Sequence, residues 1–188
     1  MWTIRIARAA DAAALSELAE STFRDAFGAQ NTREDMDLHC QRSYRPEVQA
    51  AEIGDASLET FVAEDGGRLV GYAQVARRSQ PACVPEPSAV ELRRLYVRRE
   101  HHGKGLAQEL MEAVRTNAIA TGSRLLWLGV WERNPRAIAF YRRCGFVEVG
   151  HQVFVLGTDP QRDLVMTLAL LADDAVGTAP PRGDRVVD

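Results

Sequence analysis

The chain has 188 residues, 46% of them apolar and 26% charged, with a formal net charge of −3. That is enough for one domain with a real core and too little to expect two. The near-neutral balance provides no global basic field, which argues against nucleic acid as a partner. Cys40, Cys83 and Cys144 are far apart and odd in number, and the four histidines show no ligand spacing, so neither a disulfide framework nor a metal site is expected. The opening Met1-Trp2-Thr3-Ile4-Arg5 lacks a long apolar stretch, and the run Leu164 to Ala172 is too short to span a bilayer. No secretion signal or membrane partner is therefore expected, and a reducing cytoplasm fits.

Thr3 to Ala9 alternates apolar and polar residues and reads as a first strand. Asp11 is a plausible cap for a helix to Phe27, with Leu15, Leu18, Ala19 and Phe23 on one stripe. Thr32 starts a second helix, and a third follows Pro46. Leu58 to Glu64 and Leu69 to Arg77 read as strands around the turn signal Asp65-Gly66-Gly67. The proline-rich stretch Gln80 to Ser88 reads as a loop, and Ala89 to Val97 as the next strand. A helix from Leu106 to Thr121 stops at Gly122, and Leu125 to Val130 is a buried strand. Asn134 and Pro135 open a helix that ends near Cys144. Phe146 to Leu156 and Leu164 to Leu170 close as a hairpin through Gly157-Thr158-Asp159-Pro160. The class is mixed α/β, one domain over residues 1–172, with a disordered tail expected over 173–188.

Two segments carry chemistry. His102-Gly103-Lys104-Gly105-Leu106-Ala107 follows a strand and opens a helix. Glycines let backbone approach a ligand, and free amides at a helix start attract anions, so this is a candidate phosphate cradle. It lacks the third glycine of the dinucleotide fingerprint, and its lysine, the only one among 23 basic residues, stands between the glycines rather than after them as in a P-loop. The second segment, Asn134 to Phe146, is a capped helix with the pair Phe140-Tyr141. A buried tyrosine hydroxyl needs a partner.

With Leu92-Arg93-Arg94-Leu95-Tyr96-Val97, these segments resemble the GNAT superfamily of N-acetyltransferases over roughly residues 3 to 170. The family's loop opens on Gln or Arg, where this chain has His102. The resemblance implies a mixed, mostly antiparallel central sheet flanked by helices, with acetyl-coenzyme A as cosubstrate. Trp127 to Glu132, Thr22 to Phe27, Gln30-Asn31 and His151 to Gly157 further resemble bacterial Pai-type polyamine acetyltransferases, which implies spermidine or spermine as the acceptor.

By the same resemblance, the backbone of Leu95, Tyr96 and Val97 pairs with the pantetheine arm. The loop His102, Gly103, Lys104, Gly105, Leu106 and Ala107 holds the pyrophosphate, Asn134 binds near the pantetheine, and Tyr141 protonates the leaving thiolate. An alkylamine, with a pKa of about 10.4, must lose a proton before it attacks. Glu91 is the candidate base; the bland alternative pairs it with Arg93 or Arg94. A cationic acceptor needs acidic walls, and Asp25, Glu34, Asp35, Asp37 and Glu132 are available. Trp127 and Trp131 share a strand face, as core or as acceptor wall. His151 reads as a strand histidine or an acceptor-site residue. Rival readings keep the fold and change the acceptor to a protein N-terminus or an antibiotic, or reduce the chain to a coenzyme A-binding regulatory module. A homodimer stays open, since no residue specifies an interface.

Overall fold

The computed structural model describes residues 1–78 and 80–170; the tail expected from Asp173 lies outside the described residues. Strands β1 (Thr3–Ile6), β2 (Leu58–Asp65), β3 (Arg68–Ala76), β4 (Ala89–Val97), β5 (Leu125–Trp131), β6 (Val147–Leu156) and β7 (Asp159–Ala169) form a single sheet in the order β1-β2-β3-β4-β5-β7-β6. Only the β4–β5 pair is parallel. Helices α1 (Ala12–Phe27), α2 (Arg33–Ser43) and α3 (Pro46–Gly54) precede β2, α4 (Leu106–Ala120) joins β4 to β5, and α5 (Pro135–Arg143) follows β5.

Strand alternation divides the core between the two faces of the sheet. Val90, Leu92, Leu126, Leu128, Val130 and Met166 pack beneath Leu106, Leu110 and Val114 of α4 and Ile138 of α5. Val62, Tyr72 and Leu156 pack beneath Leu15, Leu18 and Phe23 of α1 and Met36 of α2. The apolar stripe read on α1 thus fills the second core, and burying each such side chain stabilises by about 1.5–3 kcal/mol.

Two local expectations change. The first strand ends at Ile6, and the Asp11 side chain does not cap α1. Arg5 donates two hydrogen bonds to the Asp11 carboxylate, at 2.7 and 2.9 Å, and the Arg8 amide donates a third at 2.7 Å. A charge-assisted pair with a guanidinium outcompetes a cap bond. The last strand begins at Asp159, so the hairpin turn is Gly157-Thr158 alone. Pro160 is tolerated because Asp159 to Arg162 pairs with β6 only, the one-sided setting in which a strand accepts proline.

That turn is fastened to α2. Thr158 donates through its amide (2.7 Å) and its hydroxyl (2.9 Å) to Asp35 Oδ1. Gly157 has φ +63°, and a Cβ there would stand 2.5 Å from Asp35 Cα. Gly157→Ala therefore strains the backbone and collides with α2. A loss of more than about 1 kcal/mol in urea unfolding is expected; an unchanged midpoint would show that the turn does not seat there.

Candidate active site

Strands β4 and β5 pair through only three residues, Ala89 with Leu125, Val90 with Leu126 and Glu91 with Trp127. Beyond Glu91, β4 continues to pair with β3, and beyond Trp127, β5 continues to pair with β7. The two facing edges have no strand partner from there on, and a cleft opens between them. Every second residue along these edges turns its amide and carbonyl to the open side: on β4 those of Leu95 and the amide of Val97 are free to bind an extended ligand as an added strand would, while Tyr96 between them pairs with Tyr72 of β3. The parting coincides with a bulge in β4: Gln74 pairs with Arg94 and Val75 with Leu92, so Arg93 is the extra residue.

The glycine loop closes one end of this cleft. Gly103 has φ +75° and Gly105 φ +93°, and nothing lies within 4 Å of the Cβ position of either. No hydrogen bond to another protein group is made by the five consecutive amides from Gly103 to Ala107 among the described residues. Together with the start of the four-turn helix α4 they form a nest for an anion. Lys104 is exposed beside it. His102 turns inward: its Nε2 donates to the Val97 carbonyl at 2.7 Å, tying the loop to the end of β4. Its ring is thereby committed, and the cradle is built of backbone.

Glu91 is half-buried and shares with Trp127 the sheet face away from α4. The bland alternative, a pair with Arg93 or Arg94, is not made. The bulge sends both arginines to Glu52 of α3, Arg93 Nη1 to Oε1 at 2.7 Å and Arg94 Nη1 to Oε2 at 2.6 Å. Burial pushes Glu52 up, but Arg94 and Arg93 outweigh it and hold the carboxyl below the usual range. Glu91 makes no ion pair or hydrogen bond among the described residues, and burial pushes its carboxyl up. A carboxylate raised toward neutrality and free of partners is poised to accept a proton.

Tyr141 lies on α5, edge-on to Phe140 and Phe146 at 5.4 and 5.7 Å. Burial pushes its phenol up, with Tyr96 adding to the effect, so it stays protonated and can serve as an acid. Its hydroxyl makes no hydrogen bond among the described residues. Asn134 Oδ1 accepts from the Ala137 amide at 3.1 Å and caps α5, which leaves its NH₂ as the group that can meet a ligand.

The chain that carries this arrangement has relatives. Residues 13–146 match the model of the Acetyltransferase (GNAT) family. The chain belongs to that family. An uncharacterized N-acetyltransferase in the pepI 3′ region of Lactobacillus delbrueckii subsp. lactis is 29% identical over 154 residues, 82% of this chain and 89% of the relative. The spermidine N(1)-acetyltransferase of Vibrio cholerae is 29% identical over 109 residues, 57% of this chain and 60% of that enzyme. The PaiA N-acetyltransferase of Thermoplasma acidophilum, solved in complex with coenzyme A, superposes with a TM-score of 0.72 at 20% identity, covering 90% of this chain and 99% of that one; it shows the fold. The chain is thus a GNAT N-acetyltransferase with acetyl-coenzyme A as cosubstrate. Its own residues fit that molecule: five free amides suit a pyrophosphate, and an unpaired strand edge suits the amides of a pantetheine arm.

On the sheet face away from α4 a cluster of rings packs around the buried Phe23. Phe23 lies against Phe27 (4.7 Å), His39 (4.5 Å) and Tyr96 (6.3 Å), and Phe27 meets Trp131 at 5.9 Å. Burial, with Arg94 nearby, lowers His39 to about 4, so it is a neutral ring at pH 7. His151 is exposed on β6. The acids expected as walls are mostly engaged elsewhere. Asp37 pairs with Arg24, Glu132 with Arg162 and Asp25 with Arg99, while Asp35 holds the β6–β7 turn. One acid that sequence reading assigned no role, Asp163 of β7, is 92% buried and makes no ion pair or hydrogen bond among the described residues. Burial alone pushes its carboxyl up to about 6. In the sequence it reads as an ordinary polar residue between a turn and an apolar run.

Glu52 is the keystone of the charge arrangement, with 12% of its side chain exposed against 7% for Arg94. Glu52→Ala leaves the buried Arg94 unpaired and should cost about 3 kcal/mol in urea unfolding at pH 7. Because the folded-state pKa is lowered, the wild-type contribution is present at neutral pH and fades as pH falls through that value, so the mutant deficit should shrink in acid. A deficit independent of pH would show that the pair is not its source.

Proposed function

We propose that the chain transfers the acetyl group to a primary amine of a small molecule, with Glu91 as base and Tyr141 as acid. The observation that carries this reading is the unpartnered, half-buried Glu91 at the point where β4 and β5 part. Acetyl-coenzyme A supplies the activated acetyl group as a thioester. The amide nest from Gly103 to Ala107 would bind its pyrophosphate, and the edge formed by Leu95, Tyr96 and Val97 its pantetheine arm. Free amides on that edge are the donors at hand for negative charge developing on the carbonyl oxygen. The Glu91 carboxylate takes a proton from the acceptor nitrogen, directly or through water, and the Tyr141 hydroxyl gives one to the departing sulfur. The aromatic pair Phe27–Trp131 lies on the sheet face that carries Glu91 and suits an organic amine, and the named activity of the Vibrio cholerae relative puts spermidine first among acceptors to try.

The test is thiol release from acetyl-coenzyme A across a panel of amines. Amine-dependent release is expected, with kcat falling roughly 100-fold or more in Glu91→Gln and in Tyr141→Phe while the KM for acetyl-coenzyme A holds. Activity of the wild type should rise with pH through the raised Glu91 value, since only the ionised carboxyl accepts a proton. Release that no amine stimulates would remove the small-amine reading and favour a peptide acceptor.

A further inference from the structure

The two edges of the sheet are built unlike each other. β1, at one end, has four residues and carries Arg5; β6, at the other, has ten. Strand β7 covers one side of β6, and no strand among the described residues covers the other. The backbone groups turned that way are a template for a further strand, which natural edges guard against by shortness, proline, charged side chains or a bulge. β6 contains no proline, lysine or arginine. Its one acid, Glu148, leans to Arg142 at 3.8 Å, and its bulge lies near the start, at Val149. From Gly150 to Leu156 the strand is regular, and its only titratable side chain is His151.

This edge is also where apolar surface collects. Val147, Val149, Val153 and Val155 are exposed at 60, 40, 70 and 55%. The other large apolar side chains exposed among the described residues, Met1 and Ile6, lie at the opposite end of the sheet. The valines do not share one face. Val147 is level with Thr167 and, through it, with Trp127, on the face of Glu91. Val153 is level with Arg162 and His151 with Leu164, on the face that α4 covers. A helix laid on the sheet would cover one set and leave the other. A strand added in the plane of the sheet covers both, because its own side chains alternate between the faces. β6 of a second copy is such a strand. Antiparallel pairing about a two-fold axis sets the valines of each copy beside those of the other and closes the assembly at two.

Residues 171–188 are the rival occupant, since the chain reaches Leu170 just past the pair Thr167–Val147, beside the start of β6. Their sequence holds Pro180 and Pro181, four aspartates and no alternating apolar run, and a proline has no amide to give to a ladder. We propose that β6 is a homodimer interface, at which the sheets of two copies join edge to edge. A valine offers roughly 100 Å² of apolar surface, so the four expose roughly 200 Å² in each copy. With the backbone and flanking side chains the contact buries on the order of 1,000 Å² in total, the lower end for a specific interface, so the dimer is reversible and micromolar. β7 stands between β6 and β5, so the cleft beside β5 stays open in the dimer.

The test is sedimentation velocity of the full chain from about 1 to about 200 µM, a range that brackets a micromolar equilibrium. The mass should rise from the 20.8 kDa of one chain toward twice that value as concentration rises. Val153→Lys changes an exposed position and sets one ammonium from each copy in the seam. It should stay monomeric throughout, with the melting temperature of the wild type. A wild type that is monomeric at every concentration overturns the proposal, as does growth past the dimer or a dimer that Val153→Lys leaves intact. Should the variant misfold, amide exchange of the wild type decides. Amides between Gly150 and Leu156 that face the free side should exchange more slowly at the higher concentration, and protection that falls on another surface instead overturns the interface.

Discussion

Everything at the active site depends on two parallel strands that pair for three residues and then part. A continuous sheet would satisfy the backbone groups that β4 and β5 turn toward each other, leaving none for a ligand. Here the bulge at Arg93 bends β4 where the pairing ends. Beyond it each strand stays anchored on its outer side only, β4 to β3 and β5 to β7. The free edges persist because the rest of the sheet is rigid and helices cover both faces.

The bulge also sets the charge. It turns two successive arginines to the same face, where Glu52 of α3 holds both. That arrangement ties α3 to the sheet and commits both guanidiniums to Glu52 rather than to an ion pair with Glu91, two residues before Arg93. At Glu91 burial outweighs the remaining attraction of Arg93, Arg78 and Arg94 and raises its affinity for a proton. One carboxylate is committed to structure, and a second is kept free for chemistry. An ion pair with either arginine would have held Glu91 more firmly ionised.

Much of this was legible because it is local. The limits of β4, the glycines that turn the loop before α4 and the cap at Asn134 are written in consecutive residues, and resemblance to the GNAT family located Tyr141 on the same helix. What was not legible is non-local. Arg93 and Arg94 find Glu52 about forty positions away, so a neighbouring glutamate was the natural partner to expect. Asp35 reads as an acid in a first helical turn, whereas it receives the β6–β7 turn from the far end of the chain. Asp11 reads as a helix cap until Arg5 takes it. Asp163 has no signature in its neighbours; burial from β5 and β6 gives it its character.

The most direct test of the cleft is amide hydrogen exchange of the full chain with and without coenzyme A. The amides of Leu95 and Val97 and those of Gly103 to Ala107 are free in the open site, and these should become protected when the ligand lies against them. Protection confined to those two segments and the facing edge of β5 is the predicted result. Coenzyme A that binds while exchange at both segments stays unchanged would contradict the account.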